Sequence, residues 1–102
     1  MINIDIKRKN RRIVVSVKGH AASAPKGEDL VCAAVSTLVL TLQQTLVRTK
    51  ADSLEYRLGE GDAIITFKQD KYTKPYMHTI MCGFDFLASA YPQYIKLKVN
   101  GE

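Results

Sequence analysis

The run LVCAAVSTLVLTLQQTLV, from Leu30 to Val47, carries no charge over 18 residues, and it constrains the fold more than any other feature of the chain. A segment this long and apolar is either the core helix of a globular domain or a membrane span. Six of its residues are Ser, Thr or Gln (Ser36, Thr37, Thr41, Gln43, Gln44, Thr45), scattered along its length. That scatter favours a buried helix and no membrane partner. The apolar residues Leu30, Val31, Ala34, Val35, Leu38, Val39, Leu42 and Leu46 occupy nearly every helical face. This predicts cover on more than one side, from a sheet and a second layer or from another subunit. Asp29 reads as the N-cap, its carboxylate accepting from the first backbone N–H groups, with the helix running from Leu30 to about Arg48.

The flanks supply what such a helix packs against. Ile2, Ile4 and Ile6 alternate with polar residues, the period of a half-buried strand. KRKNRR reads as a charged hairpin turn, and IVVSV (Ile13 to Val17) as the returning strand. Gly19 to Gly27 is a loop of small and polar residues containing Pro25. After the helix, Leu54, Tyr56 and Leu58 alternate, GEGD turns, and Ile64 to Phe67 returns. A second helix follows, with Pro75 near its first turn, and YIKLKV closes as a strand. The order β-β-α-β-β-α-β predicts an α+β fold with a largely antiparallel sheet and two helices, in one domain spanning 1–102.

Two cysteines in 102 residues make no disulfide framework, and the N-terminus has no signal-peptide pattern. A cytoplasmic protein with reduced thiols is expected. The net charge of +5 admits an acidic or nucleic-acid-bearing partner.

The chemistry concentrates between His20 and Cys32. With Asp29 as the cap, Cys32 falls in the first helical turn, where open N–H groups and the helix dipole favour a thiolate. His20 leaves the end of the preceding strand and can face the thiol across the loop. An imidazole there would take the thiol proton and return it to a leaving amine. N–H groups at the helix start would hold the oxyanion. The competing reading is a small Cys packed on an apolar helix.

The segment GHA followed by GEDLVCAAVS, with eleven residues between His20 and Cys32, resembles the ribosomal-processing cysteine protease family, Prp. The resemblance covers nearly the whole chain in length and element order. It implies a small homodimeric endopeptidase that removes the N-terminal extension of a large-subunit ribosomal protein precursor. Cys32 would be the nucleophile and His20 its base. Gly19, Asp29 and Ser36 match further motif positions, in supporting or substrate-binding roles. The loop Ala21 to Lys26 matches a variable part of the family pattern and would either close over substrate or simply connect strand and helix, and no cofactor is implied.

Other features carry competing readings. Cys82 reads as a core residue. His20, Cys32, His78 and Cys82 together number the ligands of a closed zinc site, but their separation is irregular and a closed site would quench the nucleophile. Lys7, Arg8, Lys9, Arg11 and Arg12 form a basic hairpin suited to solvent or to ribosomal RNA. A non-enzymatic RNA- or ribosome-binding module is the alternative function. Tyr72, Tyr76, Phe84 and Phe86 suit either a substrate groove or the core.

Overall fold

A computed structural model describes residues 1–19 and 26–101, with the backbone alone at 26–28. The elements run β1 (Ile2–Lys9), β2 (Arg12–Lys18), α1 (Lys26–Arg48), β3 (Glu55–Gly59), β4 (Asp62–Lys68), α2 (Thr73–Ala90) and β5 (Ile95–Gly101). This is the α+β order expected. The sheet is ordered β3-β4-β2-β1-β5. The β1–β2, β2–β4 and β3–β4 pairings are antiparallel, and β5 runs parallel to β1.

Register puts the apolar alternation of every strand on one face. Ile6 pairs with Val15, Val15 with Ile65, and Ile65 with Tyr56, while Ile2 pairs with Ile95. Both helices pack on that face. Phe67 and Ile65 from the sheet, Leu42 and Leu46 from α1 and Phe84 from α2 are fully buried in one core. Each such side chain contributes about 1.5–3 kcal/mol by leaving water. A Cβ at Gly83 would meet Leu38 at 2.8 Å, so the bare backbone of α2 makes room for that side chain of α1.

α1 buries an apolar stripe of Val31, Val35, Val39, Leu42 and Leu46, with Gln43 buried beside it. α1 is covered on two sides, by the sheet and by α2, where half-buried Leu38 packs at Gly83, while its remaining face is open, with Leu30, Leu40 and Val47 exposed, Leu30 at 68%. The segment Asp29–Arg48 is long and apolar enough to cross a bilayer by length and composition. In this fold its apolar stripe is instead the core of a helix-on-sheet layer.

Two boundaries differ from the sequence reading. α1 begins at Lys26, four residues ahead of Leu30, so Asp29 is a helical residue and not the N-cap. Acidic side chains are favoured throughout the first turn by the dipole as well as at the cap, so an Asp there suits either position. The charged segment is also mostly strand. Only Asn10 and Arg11 form the turn, both left-handed (φ 52° and 67°), and the flanking cations alternate across the two strand faces.

The start of α2 is held by Asp70. Its Oδ1 accepts from the Tyr72 and Thr73 N–H groups, each at 2.9 Å. Chiefly the Thr73 N–H bond keeps this carboxyl below its ordinary range.

A non-glycine residue at left-handed φ is strained. Arg11→Gly is therefore expected to raise stability by about 0.5–1 kcal/mol in urea unfolding. A loss of stability would show that the Arg11 side chain holds the turn.

Candidate active site

A cleft of about 430 Å³ opens where α1 passes the β3–β4 turn. One wall is a stripe of α1: Asp29, Cys32, Ala33, Ser36 and Leu40. These lie three or four residues apart and so share a helical face, beside the stripe that enters the core. The opposite wall is Leu58, Glu60, Gly61 and Asp62, and the floor is Ile2, Val17 and Gly19. The pairings Val17–Ala63 and Lys18–Asp62 bring the end of β2 beside that turn. The Gly19 N–H donates to the Gly61 carbonyl at 3.0 Å and closes the junction.

Gly19, Asp29, Cys32 and Ser36, singled out in the sequence, thus line one cleft. His20 lies outside the described residues, as do 21–25 of the loop expected to close over substrate; Lys26 is the first residue of α1. Cys32 is half-buried and packs against the core edge. Among the described residues Ser36 Oγ makes no hydrogen bond, unlike Thr37, Thr41, Thr45 and Thr49, each of which donates to the carbonyl four residues back. The Ser36 hydroxyl is left for the cleft.

Gly19 has a definite structural task. Its φ is +98°, and a Cβ there would run into the Met1 carbonyl oxygen. No other residue fits without moving the start of β1.

The early start of α1 alters the electrostatic argument. Cys32 is the seventh helical residue, in the second turn, and the dipole effect falls off within the first. Its own N–H lies inside the helix ladder, so the helix start supplies neither the strong dipole nor the adjacent oxyanion donors expected from the sequence. Among the described residues the cleft is lined by three carboxylates, of Asp29, Glu60 and Asp62, and by no Lys or Arg. Asp62 pairs with Arg57 at 3.0 Å through one oxygen, while its other oxygen is buried without a partner.

Cys82 does not pack in the core: it is exposed on α2, its sulfur 3.9 Å from His78 Nε2. No three metal-ligating side chains gather among the described residues. Of the four aromatics, Phe84 is core, Tyr72 and Phe86 are exposed, and none of the four lines the cleft. The wall formed by the β3–β4 turn escaped the sequence reading. Its signal was the GEGD turn, but placing it beside Cys32 requires the β2–β4 register.

A half-buried thiol in a peptide-sized cleft is the arrangement of a cysteine hydrolase, and family comparison agrees. The profile of the family Cysteine protease Prp matches residues 1–96, and the chain belongs to that family. It is a cysteine protease, which sets aside the non-enzymatic module. No curated protein matches in sequence. The crystal structure of SMU.848 from Streptococcus mutans is similar at TM-score 0.79 and 27% identity, over 100% of this chain and 96% of that one. The essential ribosomal processing protease Prp from S. aureus, in complex with a substrate peptide, matches at TM-score 0.83 and 19% identity, over 97% and 99%. The same protease with a covalently linked product peptide gives TM-score 0.79 and 20% identity over the same shares.

Gly19→Ala is expected to cost about 1–3 kcal/mol from backbone strain alone and to lower peptidase activity further by displacing the cleft floor. Unfolding and cleavage measured on the same preparation check this. A variant of parental stability and activity would mean that the junction tolerates a side chain.

Proposed function

We propose that this protein is the endopeptidase that removes the N-terminal extension of a large-subunit ribosomal protein precursor. The carrying observation is that Cys32 shares one cleft with Gly19, Asp29 and Ser36, and that Gly19 immediately precedes His20 in the chain. His20 takes the Sγ proton of Cys32, and the thiolate attacks the scissile carbonyl carbon. The tetrahedral intermediate collapses, the C–N bond breaks, and the imidazolium gives its proton to the leaving amine. His20 then takes a proton from water, whose oxygen attacks the thioester and releases the carboxylate product and the thiolate. Asp29 and Ser36 border the nucleophile and contact the bound peptide. No metal or cofactor enters these steps. With the helix dipole weak at the second turn, ionisation of Cys32 rests on the imidazole.

The charge of the cleft supports a ribosomal substrate. Proteins that bind ribosomal RNA are rich in Lys and Arg, and the three carboxylates around Cys32 suit a basic polypeptide. The fold shared with the S. aureus protease crystallised with a substrate peptide supports the same class. The site of action is the cytoplasm, where such precursors are made.

The active form is a homodimer in this reading, and the outer face of α1 supports it. The hydroxyls of Thr37, Thr41 and Thr45 along that face are bonded to their own helix, beside exposed Leu40 and Val47, which lowers the cost of covering it.

The test is incubation with the precursor and with the mature protein. The parent enzyme is expected to cut the precursor once, at the leader junction, and to leave the mature protein intact. Cys32→Ala and His20→Ala should each lower kcat/KM by a factor on the order of 1,000 or more. Cleavage by Cys32→Ala at the parental rate would overturn the proposal.

A further inference from the structure

A second cleft, of about 670 Å³, lies at the other end of the sheet, lined by Arg8, Asn10, Arg11, Lys68, Gln69, Asp70, Lys71 and Lys74. The β2 strand spans the distance between the two clefts, about 20 Å for seven residues. Five cations face one carboxylate here, and that carboxylate is engaged in holding the start of α2. Lys68 Nζ also lies 3.6 Å from Asp52. Arg11 and Lys74 have no carboxylate partner among the described residues.

The basic hairpin seen in the sequence does not act as one patch. Lys7 and Lys9 do not line this cleft, and Arg12 is drawn to Glu55 at 3.5 Å. Arg8 and Arg11 are gathered instead with Lys68 at the end of β4, Lys71 in the β4–α2 connection and Lys74 in the first turn of α2, about 60 residues away in sequence. The cleft is also rigidly built. The Gln69 N–H donates to the Arg11 carbonyl at 2.6 Å, tying the turn to the connection. The buried Thr73 donates from Oγ1 to the Lys68 carbonyl and accepts from the Asp70 N–H. Arginine occupies a left-handed turn position that glycine fills more cheaply, so the guanidinium is kept there against a conformational cost.

We propose that this cleft binds RNA by its sugar–phosphate backbone, next to an unpaired base. Arginine and lysine in one groove are phosphate ligands. The amides of Asn10 and Gln69 suit the edges of bases or the ribose 2′-hydroxyl. Tyr72 follows the cleft residue Lys71 in the chain and is 65% exposed, and its ring, with Lys71 Nζ 5.2 Å from the centroid, offers a stacking platform. An acidic protein would use the cations but neither the ring nor the amides in this way. The inference does not depend on the cleavage reading, because no residue is shared between the two clefts.

The experiment is fluorescence anisotropy with a short labelled RNA stem-loop, over a range of salt. Phosphate contacts by Arg11, Lys71 and Lys74 alone predict a log–log salt slope of about 2 to 3. Arg11→Glu/Lys74→Glu is expected to weaken binding at least tenfold and to lower the slope by about 1.5. Tyr72→Ala should weaken binding with the slope unchanged. Arg11→Gly should weaken binding while raising Tm, which separates loss of the charge from loss of the fold. Lys96→Glu/Lys98→Glu, an equal charge change on the exposed residues of β5, should leave affinity within about twofold. All four variants should cut a leader peptide as the parent does. Equal weakening by the two charge-reversal pairs would overturn the proposal, as would no RNA binding by the parent. Tighter binding to poly-glutamate or to phosphatidylserine vesicles than to the RNA would overturn it as well.

Discussion

The burial of Val31, Val35, Val39, Leu42 and Leu46 against the sheet fixes the direction in which α1 faces. A helix has no freedom to rotate once such a stripe is in the core, because turning it would expose five apolar side chains at about 1.5–3 kcal/mol each. The neighbouring stripe of Asp29, Cys32, Ser36 and Leu40 must then look across to the β3–β4 turn. The position of the thiol is therefore a consequence of core packing along the whole helix. On the other side of the cleft, the β2–β4 register plays the same part, delivering Gly19 and the turn to the same place.

Much of this was legible in the sequence because period and face are local properties. The alternation of Ile2, Ile4 and Ile6 announces a strand and its buried side, and the length of the apolar run announces α1 as a helix, though its apolar residues circle it too evenly to say which side meets the sheet. Where the reading failed, local rules were ambiguous or the answer was non-local. Asp29 suits a cap and a first turn equally, and the second is what forms. KRKNRR looked like a turn because it is charged, yet four of its six residues alternate along two paired strands and only Asn10 and Arg11 turn. Cys82 sits in an apolar context that suggests the core, but α2 turns it to solvent. That Gly19, Asp29, Cys32 and Ser36 belong together was legible from their motif, and they line one cleft. The facing wall at Glu60 and Asp62 was not, since nothing near those residues says which strand they will meet.

The two ends of the sheet differ in charge. Among the described residues, one cleft carries three carboxylates beside Cys32, and the other gathers five cations. In a chain of net charge +5, an acidic active-site cleft is a local departure from the overall field. It favours a basic polypeptide there over the nucleic acid that the rest of the surface attracts. If both proposals hold, this separation would let one small domain take a basic chain at one end and a phosphate backbone at the other without competition between them.

The central claim, which rests on the proposed function, is that the imidazole of His20 ionises Cys32. The pH dependence of alkylation at Cys32 by iodoacetamide tests it most directly, with modification at exposed Cys82 resolved by peptide mass mapping. Cys32 is predicted to react at a rate that stays high well below pH 8, and in His20→Ala the profile should revert to that of an ordinary thiol, rising near pH 8.5. Superimposable profiles for the two proteins would contradict the account.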